Sequence, residues 1–213
     1  MTAETRRLFL IGAGGLGREI AAWVEGANPA GKDWDVFAGF LDANPDALAK
    51  VGRRNPVLGS EADFEFRTGD CVVVTLGDPA VRERVAASLE GRVRFATLVH
   101  ETAIIGPGCQ IGEGSILAPG VVLTADATLG RHVLVNIGCC VAHDTVLDDY
   151  ATLCPRVDVT GGASVGRGAF VGTHATILPR VAVGAAAKVG AGSVVLRRVP
   201  EGTTVFGNPA RPA

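Results

Sequence analysis

From residue 101 the chain repeats with a period of six and no insertion, so that residues 101–196 divide into sixteen consecutive hexads. The fifth slot of each hexad, from Ile105 and Ile111 through to Val189 and Val195, holds only Leu, Ile or Val. Two residues earlier, on the same face of a strand, the slot holds only Ala, Val, Ser, Thr or Cys. One large and one small inward residue per six describes a thin, crowded interior. Pro and Gly gather in the sixth, first and second slots, including Pro107, Pro119, Gly106 and Gly112, where a corner has to turn between short strands. A sustained hexapeptide period is the signature of a parallel β-helix. The aliphatic column is therefore scaffold and receives no chemical role.

The fourth slot points outward, yet it includes Ile104, Ile116, Val122, Leu134, Cys140, Val146 and Phe170. Outward apolar residues in stacked coils predict a face buried against another copy of the chain.

Ahead of the repeat, LFLIGAGGLGREIAAWVEGA reads as an apolar strand, a glycine turn and an amphipathic helix. Further strands are expected at 35–43 and 71–77 and a helix at 79–91, which makes a small α/β unit with a parallel sheet. Gly12, Gly14 and Gly17 form G-x-G-x-x-G between strand and helix, where backbone N–H groups can cradle a phosphate. Asp42 stands 25 residues after Gly17, close to the ~20 expected of an acidic residue on a ribose. Only 100 residues precede the repeat, however, too few for the two halves that a dinucleotide spans, so a nucleotide-sugar fits better than NAD. A purely structural glycine turn is the remaining alternative.

Composition narrows the partners. The formal net charge of −2 offers no general attraction for a polyanion, so no nucleic-acid role is expected. No run approaches the ~18 apolar residues of a membrane span, and the first strand leads into glycines and not into a cleavable signal. A soluble, cytoplasmic protein is expected. The five cysteines show no CxxC spacing, which suggests neither a zinc site nor a disulfide framework. His143 is in the first slot whereas His132 and His174 are in the second, and their separations of 11 and 31 residues do not stack the three into one cluster, so a metal-dependent, carbonic-anhydrase-like β-helix is not supported and no metal is expected.

Together GAGGLGRE (12–19), FLDA (40–43), LGDP (76–79), VAHD (141–144) and FGNPARP (206–212) resemble the bacterial nucleotide-sugar acetyltransferases of the sialic-acid O-acetyltransferase and amino-sugar N-acetyltransferase group. The resemblance implies a Rossmann-like nucleotide-sugar-binding domain over 1–96 and a left-handed β-helix acetyltransferase domain over 97–213. It also implies a homotrimer, with acetyl-CoA lying along the β-helix between subunits. By the same resemblance Gly12, Gly14, Gly15, Gly17, Asp42, Gly77 and Asp78 contact the nucleotide-sugar, with Asn136 a further polar contact. Thr152, Gly161, Thr173, Gly190, Ala191 and Arg211 are implied on the acetyl-CoA side. Two positions depart from the family pattern: Thr152 stands where relatives often carry a second His, and Leu16 replaces a His of the glycine turn.

Residue chemistry points the same way. Acyl transfer from a thioester needs a base as the nucleophile attacks, and His suits neutral pH. Of the four histidines only His143 is followed directly by a carboxylate, Asp144. Adjacent strand residues point to opposite faces, so this pairing requires corner geometry. Relatives commonly carry Glu where Asp144 stands, one methylene longer. Gly161 lies three hexads after His143, which by the same resemblance is one triangular coil, about 4.8 Å along the axis, where its N–H can donate to a tetrahedral oxyanion. An ordinary glycine corner is the alternative for Gly161, and a solvated corner histidine for His143. Cys140, three residues before His143, is an alternative nucleophile for an acyl-enzyme, but direct transfer needs none. The expected activity is transfer of acetyl from acetyl-CoA to the amine of a nucleotide-linked amino-sugar for surface glycans. O-acetylation of a sugar hydroxyl and a non-catalytic sugar-nucleotide-binding assembly are the alternatives.

Overall fold

The computed structural model describes residues 5–26, 34–51 and 55–213, and the chain divides into two compact units after Thr97. The first unit carries a parallel sheet of β1 (Arg7–Ile11), β2 (Val36–Leu41), β3 (Cys71–Val74) and β4 (Arg94–Phe95) in the order β2-β1-β3-β4. Its helices are α1 (Gly15–Gly26) and α2 (Pro79–Leu89). Leu8, Phe9 and Leu10 of β1 and all four residues of β3 are fully buried, which is why both strands read as unbroken apolar runs and not as alternating ones. β2 is shorter than the 35–43 run, because at its end Asp42 turns its side chain onto the glycine turn, and Ala13 N–H donates to Oδ2 at 2.8 Å.

The second unit is a left-handed parallel β-helix. Each hexad contributes a two-residue strand from its fourth and fifth slots and a turn from its first and second. Each strand pairs in parallel with the one three hexads later, as Leu134–Val135 does with Thr152–Leu153. Three sheets of eight, six and five strands result, one per side of the coil. The fifth-slot aliphatics are buried from Leu117 to Val195. Ile105 departs from that pattern at 39% exposed, because it lies in the first coil, where no earlier coil covers it. After the repeat, Thr204–Phe206 joins the eight-stranded sheet and Arg211–Pro212 returns antiparallel on it.

The outward apolar residues divide. Ile104 and Val146 are 62% and 41% exposed, whereas Ile116 and Leu134 are already buried within the single chain at 1% and 2%. Those two therefore lie outside any face left for association.

The corners follow one rule. From Gly108 to Gly192 every second-slot residue has φ between 53 and 75°. Seven of these are glycine, and the other eight are Asp126, His132, Asp144, Tyr150, Arg156, His174, Arg180 and Ala186. A side chain in this left-handed region costs roughly 1–2 kcal/mol, so the turn imposes the conformation whatever residue occupies it. Ala186 is exposed and has no polar side chain to offset that strain. Ala186→Gly should raise stability by about 0.5–1 kcal/mol, the strain relieved less the extra unfolded-state entropy of glycine. Urea denaturation of the two chains checks this, and a loss of stability would mean that the corner imposes no strain.

Candidate active site

His143 and Asp144 occupy the first and second slots of one turn, which follows the strand Cys140–Val141 of the six-stranded sheet. Asp144 has φ 59°, and this left-handed turn brings two neighbouring side chains to the same side of the backbone. Its Oδ2 lies 2.8 Å from His143 Nδ1. A carboxylate there holds the proton on Nδ1 and leaves the Nε2 lone pair free to act as a base. Both side chains are open to solvent, at 66% and 68% exposed.

Gly161 stands one coil further on. A Cβ on it would lie 2.6 Å from both Nε2 and Cε1 of His143, so glycine is needed for the ring to sit there. The flanking peptides are fixed: Gly162 N–H donates to His143 O at 2.9 Å, and Arg180 N–H donates to Gly161 O at 3.0 Å. The Gly161 N–H itself has no acceptor among the described residues. A base nitrogen and an unused backbone donor thus converge on one corner, which is the minimum arrangement for acyl transfer.

The other β-helix residues expected at the site lie elsewhere in the coil. Asn136, Thr173, Gly190 and Ala191 are at the preceding corner, which follows the eight-stranded sheet. Asn136 Oδ1 accepts from Ile137 N–H at 2.7 Å, while its amide nitrogen stays unused among the described residues. Thr173 O accepts from Gly192 N–H. A Cβ on Gly190 would press on Phe206 Cβ at 2.8 Å, so the close approach of the last strand explains this glycine. Thr152 is in the eight-stranded sheet and only 2% exposed. Arg211 is exposed at the C-terminal end, where with Arg197 and Arg198 it lines a cavity of about 270 Å³. The Arg197–Arg198 pair was visible as a dibasic step directly after the last hexad, but nothing in the sequence placed it beside Arg211.

In the first unit the glycine turn is open. A Cβ on Gly14 or Gly15 would meet no heavy atom within 4 Å, so packing does not require either glycine. Gly17, by contrast, is pressed against the carbonyl of Gly12, and Gly12 (φ 98°) against Leu76. The two acidic residues already carry backbone duties. Asp42 accepts from Ala13 and Asn44 N–H, and Asp78 caps α2 by accepting from Val81 N–H at 3.0 Å. Arg82, 1% exposed, was not anticipated; it donates to Leu76 O at 2.8 Å and Gly77 O at 3.3 Å and so fixes the loop containing Gly77.

The remaining candidates are inert or structural. Burial, followed by the nearby Asp158 charge, pushes the Cys140 thiol up, and burial takes Cys139 to about 12, so neither supplies thiolate near neutral pH. His132 is buried and stacked on Tyr150, with ring centroids 5.1 Å apart. Among the described residues no group of three or more His, Cys, Asp or Glu is placed to hold a metal, and no helix is long and apolar enough to cross a membrane.

With this geometry in view, known proteins place the chain. The family model for the PglD N-terminal domain matches residues 7–89. WeeI from Acinetobacter baumannii AYE is 30% identical, over 98% of this chain and 100% of its own, with a TM-score of 0.85. PerB from Caulobacter crescentus, solved with CoA and GDP-perosamine, is 28% identical over 97% and 96%, with a TM-score of 0.86. The chain belongs to the nucleotide-sugar acetyltransferases with a hexapeptide-repeat β-helix. Another similar structure in that family is the acetyltransferase domain of PglB from Neisseria gonorrhoeae FA1090, also solved with acetyl coenzyme A, at 28% identity over 98% and 100% and a TM-score of 0.80. Among curated protein sequences there is no match.

Two expectations follow for this acetyltransferase. Gly161→Ala should displace the His143 ring and lower kcat at least ~10-fold, a modest part of what a misplaced base can cost, with an unchanged melting temperature; an undiminished kcat would show that the contact is irrelevant. Cys140→Ser should keep the parent rate, because its thiol is held protonated, and loss of turnover would revive the acyl-enzyme route.

Proposed function

We propose that this enzyme transfers acetyl from acetyl-CoA to the amine of a nucleotide-linked amino-sugar, directly and with His143 as general base. The observation that carries this reading is the convergence of His143 Nε2, oriented through Asp144, with the unused N–H of Gly161. The sugar amine attacks the thioester carbonyl carbon while Nε2 takes its proton. The carbonyl oxygen becomes an oxyanion, and the Gly161 N–H donates to it. As the C–S bond breaks, the imidazolium returns the proton to the departing sulfur, leaving an N-acetyl sugar and free CoA thiol. Asp144 stabilises the imidazolium through Nδ1.

Support for an amine acceptor comes from the Caulobacter crescentus relative, described as a perosamine N-acetyltransferase. Its His-to-Asn and His-to-Ala variants were both crystallised with CoA and GDP-perosamine, so the histidine replaced there is not needed to seat either ligand. A base fits that behaviour. On this reading the glycine turn, with Gly12, Gly14, Gly15 and Gly17, takes the nucleotide-sugar, its open positions at Gly14 and Gly15 leaving room for the ligand. Asp42, Gly77 and Asp78 shape the surrounding loops. Asn136 offers the sugar a further polar contact, and Thr173, Gly190, Ala191 and Arg211 form the acetyl-CoA side. Because Thr173, Gly190 and Ala191 lie on a different corner from His143, the site is completed by three-fold self-association, which sets one chain's donor corner beside another's reaction corner.

A thiol-release assay with acetyl-CoA against GDP-, UDP- and dTDP-linked amino-sugars tests the proposal, with sialic acid as the hydroxyl control. Turnover is expected on an amine. His143→Ala should lower it by at least ~10² while CoA still binds. Release on hydroxyl acceptors alone would overturn the amine assignment, and a near-normal rate in His143→Ala would remove the base.

A further inference from the structure

Along the reaction corner the second slot is occupied in successive coils by Asp126, Asp144, Gly162 and Arg180. Side chains in this slot lean over the second-slot residue of the coil before. A Cβ on Gly162 would stand 3.3 Å from Arg180 Cγ, just as one on Gly138 would stand 3.5 Å from Arg156 Cγ. Arg180 therefore inclines toward His143 and Asp144 across a position that has no side chain. The missing side chain at Gly162 leaves a gap, bounded on one side by the His143–Asp144 pair and on the other by the Arg180 stem.

The Arg180 guanidinium is exposed, and among the described residues no carboxylate pairs with it. Asp144, the acidic group facing the gap, is engaged by His143 Nδ1 at 2.8 Å. The Arg180 backbone is anchored as well, since its N–H donates to Gly161 O at 3.0 Å. A cation is thus carried by the same peptide that fixes the oxyanion donor, and its charge is unspent.

We propose that Arg180 binds the phosphate bonded to the acceptor sugar, and so sets the distance between that sugar's amine and His143. This rests on the acetyl-transfer reading above. A planar guanidinium matches a phosphate with two parallel hydrogen bonds. Both reactants carry phosphate, but the covalent structures differ in reach. The phosphates of CoA are separated from the thioester by the whole pantetheine arm, whereas the sugar-linked phosphate lies one pyranose ring from the reacting amine. An arginine one coil beyond Gly161 reaches the second and not the first. Arg180 would then be a specificity determinant: it selects a sugar phosphorylated at the anomeric position over the same sugar free.

Calorimetric titration of the full chain, with Arg180→Gln and Arg180→Lys beside the parent, tests this. The probes are CoA and, separately, GDP-perosamine and UDP- and dTDP-linked 4-amino-sugars. Arg180→Gln should weaken the nucleotide-sugar that the parent binds best by about tenfold or more, as expected for a lost charge-assisted hydrogen bond. Arg180→Lys should recover part of that loss, and CoA affinity should not change. Unaltered nucleotide-sugar affinity overturns the proposal, as does a loss that falls on CoA instead, or a parent that binds none of the three sugars. Equal weakening of both ligands with a lowered melting temperature overturns it in favour of a structural role. A parent that binds both reactants but releases no thiol would sink the acetyl-transfer reading, and the binding constants would still decide the role of Arg180.

Discussion

The left-handed turn at the second slot of each hexad is the constraint on which the rest of this β-helix depends. It closes the corner within two residues, so that each strand returns in register beneath the strand three hexads later. The register in turn stacks the fifth-slot aliphatics into a continuous buried column. A turn of that kind also fixes where polar side chains go. Residues in the first and second slots of one corner, and of the next coil, are placed with little freedom, so a site built on such a corner needs no flexible loop to assemble it.

Much of this was legible from residue spacing. The unbroken period gave the inward faces, and with the three-hexad coil that the family resemblance implies, Gly161 one coil after His143 followed from counting. The N-terminal glycine turn was equally plain. What spacing did not convey was competition for side chains. Asp42 and Asp78 have the composition of ligand contacts, yet each first satisfies backbone N–H groups that the turn and α2 would otherwise leave bare. Ile116 and Leu134 look like interface residues in an outward slot, but burial depends on what the folded chain lays over them, and no hexad pattern records that. Ile105 fits the aliphatic column perfectly and still faces solvent, because a period carries no information about which coil is the first. Arg82 was invisible for a related reason: a buried guanidinium serving two carbonyls has no sequence signature.

The division of the site between two corners has a geometric meaning. A triangular coil holds its corners apart by the width of a face, so Thr173, Gly190 and Ala191 do not converge on His143 of the same chain. The proposed three-fold association answers this separation, and the faces on which Ile104 and Val146 are apolar and exposed are the ones open to it.

The pairing of His143 with an aspartate instead of the longer glutamate finds its reason in the same turn. On an extended strand two neighbouring side chains point to opposite faces. At φ 59° the Asp144 side chain is already swung toward its neighbour, and the short carboxylate reaches Nδ1 at 2.8 Å without help. Aspartate and asparagine tolerate the left-handed region better than most side chains do, so the residue that suits the corner is also one that can pair with His143. The methylene that separates Asp from Glu is therefore compensated by backbone conformation. The same turn is common to fourteen other second slots between Gly108 and Gly192, so the geometry comes from the repeat itself.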